Sequence, residues 1–189
     1  DEKADPTRHT DPGTTFDDHL RRYVNETRAK GGIPVLFNSI VRRNFVQPKD
    51  TSISKDVRRT PGESEPPKEG TVLFDTHGAY LDSPRNVAKE LGVAFIDMNK
   101  ITHDLVEGLG PVESKKLFMF VEPDQVPAFP KGREDNTHLN VYGARVVAGA
   151  LADAVAEQVP ALKSHVCHYD YVVSAEGRGN FMDLQKAID

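Results

Sequence analysis

The chain has 189 residues, of which 38% are hydrophobic and 28% charged, a composition that fits a folded domain and excludes a wholly disordered chain. Acidic and basic residues are interspersed at a net charge of −5, so no basic stripe favours nucleic-acid binding. No apolar run approaches the roughly 18 residues of a membrane span. Cys167 is the only cysteine, which excludes an internal disulfide, and no signal peptide is visible.

Two helix–glycine–strand units predict an α/β fold with a parallel sheet. Apolar residues recur at helical spacing in two segments, each followed by glycine and then by a short continuous apolar run. Such a run is typical of a strand buried on both faces. The predicted helices cover residues 16–30 and 83–91, and the predicted strands cover residues 33–37 and 93–97.

Residues 41–70 form a long polar excursion after the first predicted strand and include Arg42 and Arg43. Insertions at the carboxyl end of a parallel strand commonly build binding surfaces. Arg42 and Arg43 are therefore candidate substrate-binding residues, with contact to an anionic ligand left open. The alternative is a solvated surface loop. The run at residues 71–74 is consistent with an edge hairpin.

The second half of the chain predicts two more helices around an irregular segment. Residues 100–118 have a helical pattern broken at 108–111, and residues 119–134 are interpreted as irregular. A helix is predicted over residues 141–158, with Asn140 as its N-cap and Pro160 after its end. The tail predicts a strand at 169–173, a turn at 177–180 and the start of a helix at 181–189.

An acid and a histidine, Asp135 and His138, stand three residues apart on what is interpreted as a polar turn before the last long helix. A serine hydrolase needs a base whose pKa lies near working pH, and histidine supplies it. A carboxylate on the other ring nitrogen fixes the tautomer and stabilises the imidazolium. Taken alone, the pair is weak evidence, because a polar turn that caps a helix has the same composition.

The wider pattern around this pair resembles the last conserved block of SGNH (GDSL-type) hydrolases, in particular the rhamnogalacturonan acetylesterase-like carbohydrate esterases. The resemblance covers residues 1 to about 166 and is carried by Asp135-Asn136-Thr137-His138-Leu139-Asn140, Tyr142-Gly143-Ala144, Phe16-Asp17-Asp18-His19-Leu20-Arg21-Arg22-Tyr23, Ala29-Lys30-Gly31, Ile33-Pro34-Val35-Leu36, Arg42-Arg43, Asp75-Thr76-His77-Gly78 and Tyr80. The order and spacing of these pieces is far more specific than the acid–histidine pair alone.

The resemblance implies a flavodoxin-like three-layer α/β/α sandwich with a parallel sheet. It implies hydrolysis of acetyl esters on an acetylated pectic polysaccharide, with Asp135 as the triad acid and His138 as the general base. His77 lies in a matching stretch and is a candidate to line the substrate groove, the alternative being a structural or surface role. No metal and no organic cofactor are implied.

The family's Gly-Asp-Ser block and the two blocks that supply further oxyanion donors have no counterpart in residues 1–189. Ser39 follows the first predicted strand, but no nucleophile elbow surrounds it. We therefore expect the first three strands of the sheet to be missing from the chain and the strand at 33–37 to have an open apolar edge. We also expect the chain to need the N-terminal half of its own domain and to be essentially inactive alone.

Residues 169–189 resemble the opening of pectin methylesterases, through the Gly177-Arg178-Gly179-Asn180-Phe181 turn and the Gln185, Ala187, Ile188 and Asp189 spacing. The alternative is an unrelated strand–turn–helix. The expected organisation is the C-terminal part of a hydrolase domain at 1–162, a linker at 163–168 and the start of a second, β-helical domain at 169–189. Together the resemblances imply part of a longer secreted or periplasmic pectin-degrading protein.

Two other interpretations stay open. The chain could be a non-catalytic α/β module that binds carbohydrate or a partner chain, with Asp135 and His138 idle. The principal activity could instead lie in a downstream pectin methylesterase domain. The segment 165–168 contains two histidines and a cysteine, but its spacing fits no structural zinc pattern and it is interpreted as linker.

Overall fold

A computed structural model describes residues 9–46, 70–167, 171–175 and 179–188. Within these ranges the chain forms five α-helices and six short strands. The helices are α1 (Thr15–Ala29), α2 (Asp82–Leu91), α3 (Met98–Glu113), α4 (Val141–Gln158) and α5 (Gln185–Ile188). The strands are β1 (Val35–Phe37), β2 (Phe45–Val46), β3 (Val72–Leu73), β4 (Ala94–Ile96), β5 (Phe118–Val121) and β6 (Arg133–Leu139). Short 3-10 turns precede α2 at Gly78–Leu81 and β5 at Ser114–Leu117, and Pro160–His165 follows α4.

The α/β class with a parallel sheet is confirmed. Strands β1 and β4 pair in parallel, with Val35 opposite Ala94 and Phe37 opposite Ile96. Helix α2 packs against both strands, and α4 packs against β4. Among the described residues no strand pairs with the other edge of β1, where Phe37 is 55% exposed. The open apolar edge expected at this strand is therefore present in the described part of the chain.

The predicted helices at 16–30, 83–91 and 141–158 match α1, α2 and α4 closely. The helical pattern predicted at 100–118 runs too far, because α3 ends at Glu113 and a 3-10 turn and the start of β5 follow it. Helix α2 ends at Gly92, which adopts the left-handed conformation, and its amide donates to Ala88 O. Helix α4 covers the predicted residues, and Asn140 caps it by accepting a hydrogen bond from the backbone N–H of Gly143 at 2.8 Å. The predicted break in α3 falls at Gly110, where φ is 72°.

The described residues contain two buried apolar clusters. The first cluster contains Val41, Leu73, Val106, Leu117 and Phe118, which come from the segment before β2, from β3, from α3, from the turn before β5 and from β5. The other gathers β4 with α4 and contains Ile96, Met98, Ala154 and Val159. Helices α3 and α4 therefore bury apolar residues against strands, whereas α1 packs against α2. No helix in the described ranges is long and apolar enough to cross a membrane.

Two predictions for this region are wrong in part: that residues 119–134 are irregular, and that Asp135 lies on a polar turn. Strands β5 and β6 form an antiparallel pair, with Met119 opposite Asp135 and a register shift between Phe118 and Met119. Strand β6 carries mostly polar side chains, so no apolar alternation marked it. Its backbone is instead stabilised by ladder hydrogen bonds to the apolar strand β5.

The tail is only partly described. Val173 and Phe181 form an isolated bridge, and the helix predicted at 181–189 is present as α5 over four residues. Residues 168–170 and 176–178 lie outside the described residues, as do residues 47–69 of the polar excursion. The start of that excursion is less irregular than predicted, because β2 pairs with β3 there. The division of the chain into two domains and a linker stays a prediction.

Candidate active site

Asp135 and His138 lie on β6 at its register shift, where the Met119–Asp135 pair is followed by the Phe118–Leu139 pair, and α4 begins shortly after at Val141. Asn140 anchors this junction, since its side-chain amide donates to Lys116 O and Phe118 O, each at 2.8 Å. Its carboxamide oxygen caps α4. The end of the strand and the first turn of the helix are therefore held by one residue that comes two positions after His138.

The two side chains are in direct contact. His138 Nδ1 lies 2.8 Å from Asp135 Oδ2, while Asp135 Oδ1 accepts the backbone N–H groups of Thr137 at 2.8 Å and His138 at 2.9 Å. The Asp135 side chain is 1% exposed, whereas that of His138 is 67% exposed. A buried acid is thus in contact with an accessible imidazole; the sequence predicted the two residues as an acid–base pair, and their burial and exposure come from the structure.

Arg133 is the third ionisable group at this position. Its Nε and NH2 atoms donate to Asp135 Oδ2 at 3.1 and 2.5 Å. Burial of the Asp135 carboxylate by itself raises its pKa, but hydrogen bonds from Arg133, two backbone N–H groups and the His138 ring hold that pKa well below its usual range. Asp135 therefore stays ionised, and His138 Nδ1 must act as the donor between the two.

With Nδ1 committed to Asp135, the other ring nitrogen of His138 is the one that can take a proton from a nucleophile. Among the described residues no serine, threonine or cysteine side chain forms a hydrogen bond with His138, and Ser39 is an exposed residue after β1. Within the described segments no group of three or more His, Cys, Asp or Glu side chains could hold a metal ion. The described residues bring together a carboxylate and an imidazole in hydrogen-bond contact.

Arg43 lies inside the protein rather than at a substrate surface. It is 5% exposed, and its guanidinium donates to Ser114 Oγ at 2.9 Å, to Asn136 Oδ1 at 2.6 Å and to Pro111 O. Burial lowers its pKa to about 10. This burial of Arg43 differs from the substrate contact that was predicted for it. The guanidinium points into the protein because its three acceptors lie there. This arrangement favours a role in holding the strand that carries Asp135.

Arg43 also ties that strand through its backbone. Its N–H donates to Asn136 O at 2.8 Å, so both main chain and side chain hold the residue directly after Asp135. The guanidinium lies 5.6 and 5.4 Å from the ring centroids of Phe45 and Phe120. These contacts join residues from β2, β5 and β6, and no local sequence signal predicts them.

Arg42 points to a different neighbour than Arg43 does. Its NH1 donates to Thr76 Oγ1 at 3.0 Å, and the residue is partly exposed. Thr76 lies between Asp75 and His77 in the chain. The structure therefore brings Arg42 next to the segment that contains His77, the other predicted substrate-binding residue, and the neighbouring Arg43 connects both to the strand of Asp135.

His77 belongs to a second acid–histidine pair, which sequence reasoning missed because it singled out His77 without Asp75. His77 Nδ1 lies 3.0 Å from Asp75 Oδ1, which also accepts the His77 backbone N–H at 2.6 Å. Asn99 donates to Asp75 Oδ2 at 2.6 Å. Burial alone raises the pKa of Asp75, but the hydrogen bonds from His77 and Asn99 outweigh it and lower the pKa to about 2.

The second pair is fastened to the carboxyl edge of the parallel strands. Asn38 directly follows β1 and Asp97 directly follows β4, and the Asn38 amide donates to Asp97 Oδ1 at 2.9 Å. The Asn99 backbone N–H in turn donates to Asn38 Oδ1 at 2.8 Å. Asn99 then reaches Asp75. Ligands of open parallel sheets bind at this edge, so His77 and Arg42 lie where a substrate is expected.

The chain is similar to two curated bacterial proteins. It is 34% identical over 171 residues to rhamnogalacturonan acetylesterase RhgT of Bacillus subtilis (strain 168), an alignment that covers 90% of this chain and 62% of that protein. It is 23% identical over 155 residues to the probable rhamnogalacturonan acetylesterase YesY of the same strain, covering 82% and 57%. The chain thus spans less than two thirds of the length of these relatives. No family model matches it.

Proposed function

We propose that this chain supplies the acid and the base of a carbohydrate O-acetylesterase of the SGNH type that acts on acetylated pectic polysaccharide. The observation that carries the proposal is the 2.8 Å contact between His138 Nδ1 and the buried, ionised carboxylate of Asp135. The similarity to RhgT supports the choice of substrate class, since that protein is named a rhamnogalacturonan acetylesterase. Action on such a polymer favours a secreted or periplasmic location.

In the proposed mechanism, His138 takes the proton of a serine hydroxyl as the serine oxygen attacks the acetyl carbonyl. Asp135 stabilises the imidazolium that forms, and the imidazolium then donates its proton to the departing sugar oxygen. Water, deprotonated by the same histidine, then attacks the acyl-enzyme, and the histidine returns that proton to the serine oxygen as acetate leaves. We propose that the serine and its oxyanion donors come from outside residues 1–189, since the relatives extend well beyond the aligned part.

Substrate binding is assigned to Arg42 and His77 in this proposal. Arg42 is partly exposed and lies beside Thr76, and its guanidinium is a donor that suits the carboxylate of a uronate. His77 is held by Asp75 so that its second ring nitrogen is an acceptor for a sugar hydroxyl. Arg43 is left to support the strand of Asp135 and has no assigned contact with substrate.

The test compares acetate release from acetylated rhamnogalacturonan by the full-length protein and its variants. We expect His138→Ala to lower kcat by about 10³–10⁴-fold, since it removes the general base. Arg42→Gln should raise KM with little change in kcat. Arg22→Gln is the matched control, because Arg22 is 72% exposed on α1 and pairs only with Glu26 among described carboxylates.

Two results would refute the proposal. A parent protein that binds the polysaccharide but releases no acetate would be a binding module instead. An unchanged kcat in His138→Ala would remove His138 from the mechanism. Residues 1–189 alone should release acetate no faster than the same segment with His138→Ala.

A further inference from the structure

One oxygen of Asp135 serves two basic side chains at once. Oδ2 receives Arg133 Nε at 3.1 Å, Arg133 NH2 at 2.5 Å and His138 Nδ1 at 2.8 Å. The other oxygen is fully used by two backbone N–H groups. When His138 becomes protonated, a guanidinium and an imidazolium therefore lie within two hydrogen-bond lengths of each other on the same atom.

Arg133 is placed there by the strand and by a neighbouring ring. It precedes Asp135 by two residues on β6, so the two side chains lie on the same face of the strand. Its guanidinium lies 5.1 Å from the ring centroid of Phe129. The Arg133 side chain is 38% exposed and that of Asp135 is 1% exposed, so Arg133 lies between the Asp135 carboxylate and the solvent.

We propose that Arg133 is a positioning residue that sets how basic His138 is, by sharing Asp135 Oδ2 with it. The inference rests on the proposed role of His138 as the base. Two effects follow from the geometry. The two donor atoms of Arg133 hold the Asp135 carboxylate in the orientation that contacts the His138 ring. The positive charge of Arg133 opposes protonation of His138. A base that is not already protonated near neutral pH is the useful one.

Few other charges face this group. Strand β5, which pairs with β6, has no ionisable side chain. The segment before β2 contributes Arg43, which acts on Asn136 rather than on the carboxylate. Helix α4 packs against β6 and brings Tyr142 and Arg145 in its first turns. Apart from the His138 ring itself, Arg133 is the basic side chain in contact with Asp135 among the described residues, so its removal should dominate any change in His138.

The experiment is an NMR titration of the His138 ring in the parent protein, assigned by loss of its signal in His138→Gln. We expect Arg133→Gln to move the titration midpoint upward by roughly 0.5–1 pH unit, because a positive charge beside the imidazolium is gone. Arg133→Lys should move it by less than half as much, since the charge remains but the fork is lost. Arg22→Gln removes the same charge from an exposed site and should leave the midpoint in place.

An Arg133→Gln midpoint that is unchanged or lower, in a protein whose amide spectrum remains folded, would overturn the inference. The inference also fails if Arg22→Gln shifts the midpoint equally, since the effect would then be one of net charge. If Arg133→Gln does not fold, Arg133→Met, which also removes the charge but keeps the apolar stem, takes its place and should move the midpoint upward in the same way. None of these readouts requires esterase activity, so they stand apart from the proposed function.

A kinetic experiment tests this inference together with the proposed function. In the full-length protein the acidic limb of the kcat/KM profile should move to higher pH by the same amount in Arg133→Gln. A fall in activity at all pH values with no movement of the limb would show a merely structural Arg133. Full deacetylation by the parent together with an unmoved limb would leave the proposed function intact and end this inference.

Discussion

Gly143 lies where α4 meets the turn before β5, and a single methyl group there has no room. A Cβ at this position would lie 1.9 Å from Leu117 O and 2.7 Å from Leu117 C. These are backbone atoms, which no side-chain rotation can move away. Leu117 O also accepts the Asn140 backbone N–H at 3.1 Å, so a shift of this carbonyl disturbs the N-cap of α4 two residues after His138.

Gly143→Ala should therefore destabilise the protein despite its better helix propensity. Overpacking against backbone costs about 1–3 kcal/mol, and a weakened hydrogen bond at Asn140 adds about 1 kcal/mol. Gly149 is the matched control, because it lies in the same helix and has no atom within 4 Å of a Cβ. Gly149→Ala should stabilise by about 0.5–1 kcal/mol through helix propensity alone.

The assay is urea denaturation of both alanine variants and the parent, followed by far-UV circular dichroism. The two free energies of unfolding should differ by about 3 kcal/mol, with Gly143→Ala the lower. The His138 ring signal should also shift in Gly143→Ala and stay in place in Gly149→Ala. Equal stability of the two variants would refute the close approach of α4 to Leu117, and with it the account of how the end of β6 is held.

Two further substitutions test the buried polar network. The pKa of Asp75, lowered from 3.8 to about 2, stabilises the folded state above pH 4 and ceases to do so as the pH falls toward 2. Asp75→Asn should thus cost about 2 kcal/mol at pH 7 and progressively less below pH 4; a pH-independent loss in urea titrations would contradict this. Arg43→Lys should cost about 2 kcal/mol, because one ammonium cannot reach the three acceptors of Arg43. Urea titration measures this loss of stability. A loss no larger than that of Arg22→Lys would contradict the prediction.

The elements that local chemistry defines could be predicted from the sequence. Helices α1, α2 and α4 have an apolar period of 3.6 with caps or glycines at their ends, so their bounds agree with the structure within a residue or two. Short apolar runs after glycine predicted β1 and β4, and the two helix–strand units predicted their parallel pairing. The contact of Asp135 with His138 is local, since the two are three residues apart, but the pair alone was weak evidence and its prediction depended on the resemblance of the surrounding block.

Contacts between distant segments could not be predicted in this way. In sequence Arg43 resembles its neighbour Arg42, which is partly exposed, and Arg43 turns inward because Asn136, 93 residues later, and Ser114 provide acceptors inside the protein. Strand β6 carries polar side chains, so it became visible as a strand only through its pairing with β5. The sharing of one Asp135 oxygen between Arg133 and His138 depends on side-chain directions on that strand.

The sequence alone thus determined an α/β chain with a parallel strand pair and an acid–histidine pair before α4. Tertiary structure decided which of its charged residues are buried, which are partly exposed, and how the acid is shared. The physical reason is range. Periodicity and capping act over a few residues, whereas burial and hydrogen bonding of Arg43, Asp75 and Asp135 depend on segments that meet only when the chain is folded.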